Sequence, residues 1–152
     1  MKSRVFAAAL FGILAFSTLP AESRPGGNFG LGVQIGNPSA ISGKLWTGRE
    51  TAIDMALGFS PWHDWVLAQA DYVWHSFNVI PVQSGQLPIY YGMGAMVLLA
   101  DNPGVGARGT VGIEYLFAKA PLDIFLEVSP GVFVVPSTDG FVGVGLGMRY
   151  FF

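Results

Sequence analysis

No cysteine occurs among the 152 residues. That excludes disulfides, thiolate metal ligands, cysteine nucleophiles and a lipid-modified cysteine at a processing site, so stability must come from hydrogen bonding and packing. Charge is also scarce. Charged residues make up 12% of the chain and hydrophobic ones 51%, whereas an ordinary soluble domain covers its surface with roughly 25% charged residues. A formal net charge of -2 gives no electrostatic case for nucleic acid. With two histidines and no thiol, a metal site has little to draw on, and no cofactor is expected. Beyond the first two dozen residues, no apolar run reaches the roughly eighteen residues a membrane-crossing helix needs.

At the start of the chain, Lys2 and Arg4 precede an apolar run from Val5 to Phe16, and Ser17 to Ala21 offer small residues for cleavage. This is the pattern of a secretory signal peptide over 1–21. Cleavage before Glu22, or alternatively after Ser17, leaves a short periplasmic tail at 22–27 and one domain at 28–152. No internal repeat or linker divides that domain.

The remainder alternates. In the last stretch Val142, Val144, Leu146, Met148, Tyr150 and Phe152 share one face of a strand, while Gly143, Gly145, Gly147 and Arg149 share the other. Period two recurs over 28–36, 40–47, 51–59, 64–77, 87–99, 107–117, 121–134 and 140–152. Turn-forming residues separate these segments, among them Asn37-Pro38-Ser39, Gly48-Arg49-Glu50, Ser60-Pro61-Trp62-His63, Asp101-Asn102-Pro103-Gly104 and Pro136-Ser137-Thr138-Asp139. Short connections make neighbours antiparallel. The expectation is an all-β chain, an eight-stranded antiparallel up-and-down transmembrane β-barrel.

Charge placement supports the membrane version. Lys44, Asp54, Asp71, Arg108, Glu114, Asp123, Glu127 and Arg149 all fall on the small and polar phase, and no charge interrupts the apolar phase of any segment. A soluble lipid-carrying barrel would turn the apolar phase inward, but an eight-stranded interior is barely wide enough for side chains to fill. Turning that phase to lipid removes the conflict, and it places Tyr72, Trp74, Tyr91, Tyr115 and Tyr150 on the lipid face.

The stretches GLGVQIGNPSAISGKLW (30–46), ADYVWHSF (70–77), LPIYYGMGA (87–95), GIEYLF with APLDIFLEVSP (112–130) and GMRYFF (147–152) carry a resemblance. The chain resembles the small eight-stranded outer-membrane barrels typified by the membrane domain of outer membrane protein A. It is more closely similar to an uncharacterised family of short barrels from spirochaetes and other Gram-negative bacteria. The resemblance implies location in a Gram-negative outer membrane, contact with its lipid, and recognition of the C-terminal aromatic signal, Tyr150 and Phe152, by the barrel-assembly machinery. It carries over no catalytic residue.

Chemistry could reside in the lumen. A second hairpin turning about Arg49 sets Lys44 opposite Asp54, and a last hairpin turning about Thr138 sets Glu127 opposite Arg149. A sixth hairpin turning at Ala118-Lys119 opposes Glu114 to Asp123 and Thr110 to Glu127. Two such carboxylates could form an acid–base pair, but Arg108, Arg149 or Lys44 reaching across to neutralise them is the simpler expectation. His75 shares a face with Asp71 about 13 Å away at the usual strand rise, too far for a direct bond. It points away from its neighbour Ser76, so no Ser-His-acid set forms on the lipid side. The candidate lumen network is therefore Lys44, Asp54, Asp71, His75, Arg108, Glu114, Asp123, Glu127 and Arg149, structural or gating, with no catalytic, cofactor or metal residue among them. Gly104-Val105-Gly106-Ala107-Arg108-Gly109 matches a dinucleotide fingerprint but leads into a strand, so it lacks the helix N-terminus that would hold phosphate. A tight loop and crowded lumen positions explain these glycines.

The expected function is structural or interactive and not enzymatic, in a monomeric barrel with a charge-plugged lumen. A narrow, porin-like channel for ions or small solutes is the alternative, followed by a lipid-acting enzyme or a soluble lipid carrier. The short connections near Pro38, Pro61, Pro103 and Ser137 disfavour an adhesin, which presents long loops. The longest connection, 78–86, falls on the side of the termini.

Overall fold

Eight strands follow one another around a ring in chain order: β1 (Phe29–Asn37), β2 (Ala40–Trp46), β3 (Thr51–Phe59), β4 (Val66–Ser76), β5 (Ile89–Leu99), β6 (Gly104–Leu116), β7 (Leu122–Val135) and β8 (Asp139–Phe151). The computed structural model describes residues 26–59 and 63–152. The expected signal peptide at 1–21, positions 22–25 of the tail, and 60–62 of the β3–β4 connection lie outside the described residues. Each strand pairs antiparallel with its neighbours, and β8 returns to β1 to close the barrel. The Phe152 N–H donates to the Phe29 carbonyl at 2.8 Å, at the end where the last strand finishes.

The alternation sets which side chains enter the barrel. On β8, Arg149 is 2% exposed while its neighbours Met148 and Tyr150 are 50% and 48% exposed. The same inward-outward pattern runs along β4, where Leu67, Gln69, Asp71, Val73 and His75 are buried. Room for the long inward side chains comes from glycines opposite them. A Cβ at Gly147 would meet the Phe125 ring and lie 2.6 Å from the Val33 carbonyl oxygen, and one at Gly112 would strike the Tyr90 ring.

Several strand boundaries differ from the sequence expectation. β5 starts at Ile89 because Pro88 has no N–H to give to a ladder. The preceding segment still runs beside β6: Gln86 and Leu116 exchange backbone hydrogen bonds, and the Glu114 N–H donates to the Pro88 carbonyl. The long connection is thus tied to the barrel wall, with the Tyr115 hydroxyl donating to the Ser84 carbonyl at 2.9 Å. β6 starts at Gly104, so Gly104 and Gly106 are buried strand positions facing inward and not part of a tight loop. A register irregularity at Val105/Gly106 leaves Val134 as an extra residue on β7, and Val134 and Val135 are both exposed.

Candidate functional site

The inward side chains form three layers. Nearest the end that carries Gly27 and Phe152, an apolar layer of Trp46, Ala52, Val73, Tyr90, Phe125 and Phe151 fills the interior, with Phe77 and Leu116 packed against it. Charged side chains occupy the middle. Toward the other end lie the buried Leu67 and Met96.

Lys44 on β2 is fully buried and reaches three groups at once. Its Nζ donates to Glu114 Oε1 and Oε2 at 3.0 and 3.1 Å, lies 3.0 Å from His75 Nε2, and is 3.4 Å from Asp54 Oδ1. His75 Nδ1 faces the Glu50 carbonyl at 3.2 Å. A carbonyl only accepts, so Nδ1 carries a proton; Nε2 lies between Lys44 Nζ and Glu114 Oε2, the latter at 3.2 Å, and a neutral ring avoids a second positive charge beside Lys44. Lys44 Nζ also sits 4.9 Å from the ring centroids of both Trp46 and Tyr90, close enough for cation–π attraction in a site from which water is excluded.

Arg149 on β8 holds two carboxylates. Its Nε donates to Asp123 Oδ2 at 2.9 Å, its backbone N–H to Asp123 Oδ1 at 3.1 Å, and its Nη2 to Glu114 Oε1 at 3.0 Å. The guanidinium stacks on Phe125, with Cζ 4.0 Å from the ring centroid. Arg108 on β6 forms a second centre. Its Nε is 3.1 Å from Asp71 Oδ2, its Nη2 is 3.6 Å from Glu127 Oε1, and Nη2 donates to Ser129 Oγ at 2.6 Å. Tyr90 Oη donates to Glu127 Oε2 at 2.9 Å, and Ser129 Oγ also meets Thr110 Oγ1 at 2.9 Å.

All nine candidate lumen residues therefore point inward and share partners. Lys44 and Asp54 are opposite on β2 and β3, as a turn about Arg49 requires. The pairings in two other hairpins differ from expectation. Asp123, not Glu127, lies opposite Arg149, because the last hairpin centres on Pro136 and not on Thr138. Glu127 faces Gly145 and turns to Tyr90 and Arg108 instead. Glu114 lies opposite Phe125, not Asp123, because the β6–β7 hairpin centres between Lys119 and Ala120; Thr110 accordingly meets Ser129 and not Glu127. Glu114 and Asp123 still converge, through the Nη2 of Arg149.

Sequence reasoning overlooked the aromatic layer and the hydroxyls of Tyr90 and Ser129. Their signal was present, since Trp46, Tyr90 and Phe125 lie in phase with Lys44, Gly92 and Asp123, but large apolar residues within a charged phase read as exceptions. Tyr150 and Phe152 lie on the outer face, 48% and 67% exposed. Chemically, the interior offers ion pairs that share partners. Ser129 Oγ is held by Arg108 and Thr110, and among the described residues no cluster of three or more His, Asp or Glu is arranged to hold a metal ion. An apolar hollow of about 230 Å³ opens beside Trp46, Leu116, Pro121 and Phe151, and a gap of only about 10 Å³ lies within the charged layer.

No family model and no curated protein matches the chain. Among solved structures it is similar to the N-terminal β-barrel domain of OprF from Pseudomonas aeruginosa, with a TM-score of 0.49 and 14% identity over 81% of this chain and 96% of that one.

Proposed function

We propose that the chain is an integral outer-membrane barrel with a structural or interaction role, its lumen closed by charge pairs and an aromatic layer. The observation that carries this reading is the inverted burial. Leu31, Val33, Ile35, Met93, Val111, Val128 and Val144 are exposed around the outside, while Lys44, Glu114, Asp123 and Arg149 are at most 2% exposed inside. In water this arrangement would expose an apolar belt far larger than soluble monomers carry; in lipid it satisfies both surfaces. Buried charges that pair within a narrow bore fill it with polar side chains and leave no continuous path for solutes. Catalysis has no place in this reading, because the Tyr90, Thr110 and Ser129 hydroxyls are each engaged with a neighbour in the charged layer. The partners are outer-membrane lipid and, during biogenesis, the barrel-assembly machinery acting on Tyr150 and Phe152, with a monomer as the working unit.

Fractionation of expressing cells, followed by gels of unboiled and boiled samples, tests this. Recovery in the outer membrane with a heat-dependent mobility shift is the expected result. A soluble periplasmic protein without such a shift would overturn the reading and redirect attention to an apolar ligand.

A further inference from the structure

The charges inside the barrel do not balance. Five carboxylates, Asp54, Asp71, Glu114, Asp123 and Glu127, face three permanent cations, Lys44, Arg108 and Arg149. His75 is not counted among them: its Nε2 lies 3.0 Å from Lys44 Nζ and 3.2 Å from Glu114 Oε2, and a second positive charge so close to Lys44 is disfavoured.

The excess is localised. Glu114 and Asp123 take the short contacts of Lys44 and Arg149, at 2.9 to 3.0 Å. Glu127 receives the Tyr90 hydroxyl. Arg108 Nε reaches Asp71 through Oδ2 alone, at 3.1 Å, and Asp71 lies directly opposite Asp54 on β3 and β4, an arrangement of like charges that destabilises a sheet. Asp54 sees Lys44 only at 3.4 Å and Arg149 only at 3.8 Å. Neither of its carboxylate oxygens has a hydrogen-bond partner, nor has Asp71 Oδ1, although both residues are more than nine-tenths buried. The nearby Gln69 Nε2 is also without a partner.

These orphaned atoms border the gap of about 10 Å³ in the charged layer, room for about one water-sized species. An anion is excluded by the carboxylates. A divalent cation, which gives up its waters reluctantly, would set a double charge beside the Arg108 and Arg149 guanidiniums that also line the gap. We propose that the gap between Asp54 and Asp71 is a site for one small monovalent cation, either a proton shared by the two carboxyls or an alkali-metal ion. β1 and β2 contribute Gln34 and Ser42 to its wall, and β6, β7 and β8 contribute Arg108, Glu127 and Arg149; Arg108 touches Asp71 at 3.1 Å and Arg149 approaches Asp54 at 3.8 Å, while both also hold other partners. From β5 the glycine Gly94 faces Asp71 and brings no charge.

The test is the unfolding midpoint of the purified protein in sodium, potassium or choline chloride at one ionic strength, repeated across pH, for the unaltered chain, Asp54→Asn and Asp71→Asn. A bound alkali ion raises the unaltered midpoint over choline by roughly 5 °C, and either substitution removes the difference. A shared proton gives no ion effect but a midpoint that rises as pH falls, and the rise is lost in both variants. A midpoint indifferent to ion, with a pH dependence the variants share, overturns the proposal and leaves a neutral water in the gap. Sodium-nucleus relaxation and the infrared band of a protonated carboxyl, both measured on the unaltered protein, keep the result independent of whether the variants fold.

Discussion

Asp123 and Arg149 face each other across β7 and β8, and the carboxylate accepts from both the guanidinium Nε and the backbone N–H of the same arginine. One side chain thus anchors both the ladder and the ion network. Because Arg149 also holds Glu114, its loss would strand the buried Asp123 and leave Glu114 to Lys44 alone. Arg149→Leu is expected to lower stability by about 3–5 kcal/mol, the range for breaking a buried pair from one side. Adding Asp123→Asn to Arg149→Leu is expected to recover part of that loss. The check is a double-mutant cycle on urea midpoints of the detergent-refolded protein, read at constant slope.

The register of the last hairpin can be trapped covalently, since the native chain has no cysteine to interfere. Ile124 and Met148 are opposite one another, and antiparallel partners fall within disulfide reach. Ile124→Cys with Met148→Cys is expected to cross-link on mild oxidation. Val128→Cys with Met148→Cys, the pair a turn about Thr138 would align, is expected to stay reduced. Mobility on non-reducing gels separates the outcomes.

Two glycines on adjacent strands make a paired comparison. A Cβ at Gly94 would collide with the Ala70 carbonyl oxygen and lie 2.6 Å from the Asp71 Cα, whereas at Gly109 the nearest atom would be the Gly92 carbonyl oxygen at 3.7 Å. Gly94→Ala is expected to reduce the folded yield severalfold, and Gly109→Ala to leave it unchanged. The heat-shifted band on gels measures both.

The proposed closure of the lumen invokes two layers, and conductance should report them separately. Lys44→Ala alone leaves Trp46, Tyr90 and Phe125 in place, so planar bilayers containing it are expected to show no more current than the unaltered protein. Combining Lys44→Ala with Trp46→Ala and Tyr90→Ala is expected to give discrete openings. Openings from Lys44→Ala alone would mean that the ion network is the sole barrier.

The inward and outward faces were legible in the sequence because a period of two needs no knowledge of neighbours: Arg149 between Met148 and Tyr150 settles its own face. Register was not. A slip of two or four residues preserves every face while changing every partner, so Asp123 and Glu127 are equally good candidates for Arg149 until the turn is known. The difference lay in whether the chain reverses at Pro136 or at Thr138, two positions with similar turn chemistry. The extra residue at Val134 was hidden for a related reason, since a bulge between two exposed valines leaves the apolar composition of β7 unaltered. The aromatic layer needed the third dimension: Trp46, Tyr90, Phe125 and Phe151 lie on four different strands and meet only when the ring closes.

The pairing of β1 with β8 joins the two strands most distant in sequence. Every other ladder forms between consecutive strands and can assemble locally, whereas this last seam requires the whole sheet to have curled. Until it forms, β1 and β8 each present a row of unpaired N–H and C=O groups to whatever strand comes near. The seam is therefore both the slowest contact to make and the point at which a half-built barrel is open to strangers.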